Sequence, residues 1–175
     1  MKRMAITALW IGILATTVLA QTPRKPGAEE ARIGFFAGQW KIEGEVKPFP
    51  GWPSGKLDSN ETCQWFEGGF QLVCHSEGTS PMGAVKAQSI FGYSPMGKTY
   101  TYYRISSRGE GFFWEGTLSG NVWTWTNESD ANGKPMKARM TVTEQSPISY
   151  TSKIEFSTEG GPFVLLEEMK VSKVR

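Results

Sequence analysis

The sequence predicts an all-β domain: about ten antiparallel strands in up-and-down order, closed into a barrel, with one short helix ahead of them. Three observations point there. Apolar and polar residues alternate with period two along most stretches after residue 39, the spacing of strands with one buried and one wet face. Twenty glycines and ten prolines punctuate the chain, supplying the tight turns that short strands need. A run of consecutive hairpins also leaves two unpaired edges unless it closes on itself. A two-sheet sandwich is the alternative closure.

The chain begins with Lys2 and Arg3, an apolar run from Met4 to Leu14 and a Val18-Leu19-Ala20 ending, the order of a secretory signal peptide. Residues 1–20 are therefore expected to be a leader cleaved near Ala20, giving a periplasmic or extracellular protein. The run is short for a spanning anchor, and no cysteine follows it to carry a lipid, so no membrane insertion is expected after leader removal. Losing the leader removes two of 19 basic residues and none of 17 acidic ones, leaving 17 against 17. A neutral chain without a clustered positive field is not expected to bind nucleic acid or an anionic membrane.

The remaining residues suit one domain with a substantial core. Residues 21–28, bearing proline and charge, read as a flexible lead-in, and the barrel domain as 29–175. Glu29 to Ala37 predicts a short helix, acids near its N-terminus and Gly38 at its end. Trp40, Ile42, Gly44 and Val46 alternate with charged residues in the first strand, which Pro48-Phe49-Pro50-Gly51-Trp52-Pro53 ends.

Leu57–Glu67 and Phe70–Gly78 predict a hairpin about Gly68-Gly69, with Trp65 opposite Leu72 and Cys63 opposite Cys74. Opposed cysteines in an exported chain predict a disulfide. A strict two-residue loop places them at a hydrogen-bonded pair; a four-residue loop, Glu67 to Phe70, places them at the closer, non-hydrogen-bonded kind.

Ala84–Tyr93 follows, and the Ser94-Pro95-Met96-Gly97 turn predicts Tyr93 against Lys98, Phe91 against Tyr100, Ser89 against Tyr102 and Ala87 against Arg104. Glu110–Thr117 and Asn121–Asn127 predict Trp114 against Trp125 and Gly116 against Trp123. Met136, Ala138, Met140 and Val142 mark the next inward face, then Ile148, Tyr150, Ser152, Ile154 and Phe156. In the last strand, Phe163–Val171, Glu167 shares a face with Phe163, Leu165, Met169 and Val171 and opposes Ser152.

Several segments together resemble the calycin-like domain-of-unknown-function family 1579 of bacterial exported proteins, relatives in fold of lipocalins and fatty-acid-binding proteins. They are Phe36-Ala37-Gly38-Gln39-Trp40, Gly44-Glu45-Val46-Lys47-Pro48, Gly68-Gly69-Phe70, Pro81-Met82-Gly83, Phe91-Gly92-Tyr93-Ser94-Pro95, Glu115-Gly116-Thr117-Leu118 and Gly133-Lys134-Pro135. The resemblance implies a lipocalin-like barrel. It implies no activity, substrate or catalytic residues, since the family has none settled.

Little in the chain reads as catalysis. The single histidine, His75, is the one haem-ligand candidate, but it alternates with the apolar Phe70, Leu72 and Cys74 and falls on the outer face. It has no convincing serine or cysteine partner for a nucleophilic triad. No His/Cys cluster or calcium-spaced acidic loop suggests a metal, and no cofactor is expected. Asn60-Glu61-Thr62 and Asn127-Glu128-Ser129 match the glycosylation sequon, a pattern common by chance.

The inward face carries the stronger signal. Tyr100, Tyr102, Arg104, Phe112, Trp114, Trp123, Trp125 and Glu167 form an aromatic set interrupted by one arginine and one carboxylate, which suits a pocket for a small apolar or aromatic molecule. The alternative is a structural or protein-contact domain with a side-chain-filled barrel, contacting partners through Phe49 to Pro53. An enzyme would need a carboxylate or tyrosine acid/base, with Glu167 the candidate. Binding without transformation is the expected function.

Overall fold

A computed structural model describes residues 24–131 and 133–174; the expected leader and its cleavage near Ala20 lie outside the described residues. The chain enters through helix α1 (Ala28–Ile33) and a 3-10 turn, Gly34–Phe36. Ten antiparallel strands follow: β1 Gly38–Val46, β2 Gly55–Trp65, β3 Leu72–Ser80, β4 Gly83–Ser94, β5 Thr99–Ser106, β6 Gly111–Ser119, β7 Val122–Ala131, β8 Lys134–Ser146, β9 Ser149–Thr158 and β10 Val164–Lys173. Each pairs with the next, and β1 pairs with β10 from Trp40↔Lys173 to Val46↔Glu167, so the sheet is a closed barrel. Closure pairs both edges, which the sandwich alternative would have had to protect separately.

The helix and its 3-10 turn plug one end. Phe36 stacks on Phe91 at 4.9 Å between ring centroids and meets Trp123 and Tyr150 edge-on or tilted, at 5.2 and 5.8 Å. The Trp40 indole N–H donates to the Phe36 carbonyl at 2.7 Å, fixing the plug to β1. Glu30, fully buried, accepts the Gly27 backbone N–H at 2.8 Å and pairs with Arg24. Arg32 reaches Glu144 of β8 at 2.7 Å.

The cysteine hairpin has the wider loop. Phe66 N–H donates to the Gln71 carbonyl at 2.8 Å and so closes a four-residue loop, Glu67 to Phe70, with Gly68 and Gly69 at φ +87° and +74°. Counting back by the antiparallel alternation makes Cys63↔Cys74 a non-hydrogen-bonded pair. Their Cα atoms lie 4.0 Å apart and the disulfide is formed.

Three expected registers are corrected, and in two of them every partner slides by two residues. Between β4 and β5 the observed pairs are Ser94↔Thr99, Tyr93↔Tyr100, Phe91↔Tyr102 and Ser89↔Arg104. The turn occupies Pro95 to Lys98: the Ser94 hydroxyl accepts the Gly97 N–H, and Lys98 takes the left-handed conformation at φ +50°. Between β6 and β7 a two-residue Gly120-Asn121 turn, Gly120 at φ +61°, closes the ladder at Ser119↔Val122. Trp125 consequently opposes Gly116, and Trp123 opposes Leu118. A slip of two leaves each side chain on its own face, whereas a slip of one would invert it.

The third correction does change parity. Between β9 and β10 the pairing shifts between Leu165 and Glu167, where β10 carries one extra residue. Glu167 therefore opposes Ile154, not Ser152, and Leu166 is buried while Leu165 is only half-buried. Phe163 does not share the Glu167 face; it lies under the Arg139 guanidinium, 4.2 Å from its ring centroid.

Candidate functional site

Inside the barrel, between the plug and the opposite rim, is a cavity of about 270 Å³. Its walls are mostly apolar: Phe36, Phe91, Trp114, Trp125, Tyr150 and Phe156 are among them. Alternation places them. Met136, Ala138, Met140 and Val142 of β8, and Tyr150, Ser152, Ile154 and Phe156 of β9, all line the space as their period predicts. Ile148, by contrast, lies in the β8–β9 turn and is exposed.

Of the eight residues singled out above, six line the cavity: Tyr102, Arg104, Phe112, Trp114, Trp125 and Glu167. Phe112 stands near the rim, 36% exposed. Tyr100 and Trp123 belong instead to the plugged end. Their rings meet at 4.8 Å, and the Trp123 indole N–H donates to Glu144 at 2.7 Å, beneath the Arg32 guanidinium. His75 is exposed on the outer face, where it borders a shallow depression with Gln64, Trp65, Gln71 and Val73.

Trp125 is held by a glycine. A Cβ at Gly116 would collide with the Trp125 ring, so the bare backbone of β6 lets the indole lie flat against it. The same ring stacks parallel to Trp123, centroids 5.9 Å apart and planes 4° from parallel. This fixes one wall of the cavity.

The rim is formed by the loops between β1 and β2, β3 and β4, and β5 and β6, contributing Trp52, Pro53, Pro81, Met82, Arg108 and Glu110. Trp52 N–H donates to the Phe49 carbonyl at 3.0 Å, and both rings lie about 6 Å from Phe156, at 6.1 and 6.2 Å. The aromatic loop is thus folded against β9 beside the mouth, with Trp52 still 37% exposed.

The polar part of the wall includes a carboxylate that alternation should have found. Glu61 lies two residues before the inward Cys63 on β2 and faces the cavity with Glu167 and Arg104. Burial raises the pKa of Glu61 above the ordinary carboxylate value, and Arg104 opposes that only in part. Glu167 is raised in the same way: burial first, countered by Arg104 and reinforced by Glu110. Burial works against the Arg104 charge, but Tyr102, Glu61 and Glu167 outweigh it and leave its pKa above the ordinary value. The Tyr150 phenol is held strongly protonated by burial, with Glu61 and Tyr102 adding to it. Among the described residues the three-group cluster Glu61, Cys63 and Cys74 lies within metal-ligand distance, but both sulfurs are in the disulfide, which removes them as thiolate ligands.

The comparisons with known proteins follow this architecture. A family model described as "Protein of unknown function (DUF1579)" matches residues 25–173. The chain belongs to this family. No curated protein matches it. Several solved structures share its fold, two of them as follows. One, the S-type phycobiliprotein lyase CPES from Guillardia theta, is 12% identical, with 84% of this chain and 93% of that chain covered and a TM-score of 0.58. The other, Rv2717c from M. tuberculosis, is 8% identical, with 85% and 99% covered and a TM-score of 0.58. At such identities the likeness extends to the barrel alone.

Proposed function

We propose that this member of the DUF1579 family is an exported binding protein that holds a small, mainly apolar molecule inside its barrel without transforming it. The observation that carries the reading is the internal cavity of about 270 Å³, walled by aromatic and aliphatic side chains and interrupted by a few polar groups. That composition is the usual one for small-molecule sites. A ten-stranded barrel is also too wide for its own side chains to fill.

The intact Cys63–Cys74 disulfide supports residence in an oxidising compartment. No described helix is long and apolar enough to cross a membrane. The packing of Phe49 and Trp52 on Phe156 favours the loop as part of the rim over a free protein-contact arm.

Native mass spectrometry of the purified protein, with tryptophan-fluorescence titration against aromatic metabolites and lipids, tests the proposal. Saturable binding that quenches or shifts emission, weakened by Trp125→Ala, is the expected result. A barrel that takes up no member of the panel, and whose fluorescence stays flat, sinks it.

A further inference from the structure

The polar lining narrows what the cavity holds, an inference that rests on the binding role just proposed. Three charged side chains share its interior: Glu61, Glu167 and Arg104. Two negative charges against one positive leave the group at minus one if all ionise. Nothing else on the wall supplies the missing charge. Arg108 and Glu110, at the rim, are of opposite sign and already occupied: Arg108 donates to the Ser80 hydroxyl at 3.1 Å and the Gly83 carbonyl at 2.8 Å, and Glu110 accepts from the Ser106 hydroxyl at 2.9 Å. The other titratable groups facing the space, Tyr102 and Tyr150, are phenols and add no positive charge.

Neither carboxylate has a near partner. Among the described residues, no ion pair and no side-chain hydrogen bond involves Glu61 or Glu167. Buried polar groups are normally hydrogen-bonded, and each exception calls for an explanation. A carboxylate shielded from bulk water without a partner is costlier still. Two unpartnered carboxylates facing one largely apolar space are complementary to a cationic donor on an apolar body.

We propose that the cavity takes a small apolar amine, its ammonium set toward Glu61 and Glu167. One positive charge makes the polar cluster neutral. Its N–H donors meet two carboxylates, which when ionised only accept. An anionic amphiphile would meet Arg104, but it would take the cluster from minus one to minus two. The apolar body lies against Phe36, Phe91 and Trp125.

Three ligands with one phenyl ring and one shared hydroxyl isolate the head group: 2-amino-1-phenylethanol, 1-phenyl-1,2-ethanediol and mandelate. Calorimetric titration of the purified protein at pH 7 should rank the amine first, by about tenfold or more over the diol, the equivalent of one modest charge interaction, with mandelate weakest. Glu61→Gln and Glu167→Gln should each cut the preference for amine over diol to below threefold. The wild-type ranking stands even if either variant does not fold. Equal affinities, or a preference for mandelate, overturn the amine and leave a binding cavity. Failure of all three while a neutral apolar dye still enters overturns the amine alone. Failure of the dye as well overturns the binding role with it.

Discussion

Glu61 and Glu167 set how the empty barrel responds to pH. Both carboxyls hold their protons more tightly in the folded protein than in the unfolded chain, chiefly because burial penalises the charged form. The folded state therefore binds more protons across the interval between the unfolded value, about 4.3 for glutamate, and the raised folded value. Stability from these two groups is fully present below that interval and is lost as pH rises through the folded pKa. Thermal melts of the ligand-free protein should show the double variant E61Q/E167Q gaining on the wild type as pH increases from 4 to 8. A difference independent of pH would contradict the burial of these groups. Arg104→Met should have the opposite sign, destabilising more at pH 7 than at pH 4, because it removes the charge that partly offsets both carboxylates.

At this same scale the sequence was readable for Arg104 and Glu167, where a charge interrupts an apolar alternation. Glu61 escapes the sequence reading because its neighbours Leu57 and Ser59 make a weak period, although Cys63, two positions on and opposite the inward Cys74, shares its face.

At the scale of strands and hairpins, one contact controls the aromatic wall. Gly116 must remain without a side chain, because any Cβ overlaps the Trp125 ring. Gly116→Val should cost roughly 1–3 kcal/mol, the range for overpacking a filled site, with the midpoint of urea unfolding falling and the ring's near-ultraviolet dichroism changing as it is displaced. The disulfide acts differently, through the unfolded chain. It closes a short loop, separation 11 in sequence, so the C63A/C74A variant should lose about 2–3 kcal/mol, with fold and ligand affinity retained.

Which side of each strand faces inward was legible from sequence because alternation has period two and a slip of two preserves it. Register was not, because it depends on how many residues each turn consumes: Lys98 in a left-handed conformation and the two-residue Gly120-Asn121 turn moved the β4–β5 and β6–β7 ladders. The extra residue near Leu166 left no compositional mark, and there the inferred face of Phe163 and Leu165 failed. Strand parity points Tyr100 and Trp123 inward without saying how far along the barrel axis they lie. Height within the barrel was settled by α1 and Phe36 filling that end.

For the molecule as a whole, the joining of β1 to β10 decides whether the interior is one enclosed space. Seven residue pairs, Trp40↔Lys173 through Val46↔Glu167, make that seam, and Glu167 of the polar cluster lies on its last pair. An open sheet would leave the backbone amides of both terminal strands facing water, and they would exchange as freely as those of any edge. In the closed barrel they open only with the ladder that contains them. Hydrogen exchange at neutral pH should therefore protect the inward-bonded amides of β1 and β10 about as strongly as those of β7 and β8, in one cooperative unit. Phe36→Ala, which removes the stack on Phe91 and most of the plug, should cost about 3–5 kcal/mol and lower protection everywhere together. Rapid exchange confined to β1 and β10 would show the seam to be open, and with it the wall that presents Glu167 to a ligand.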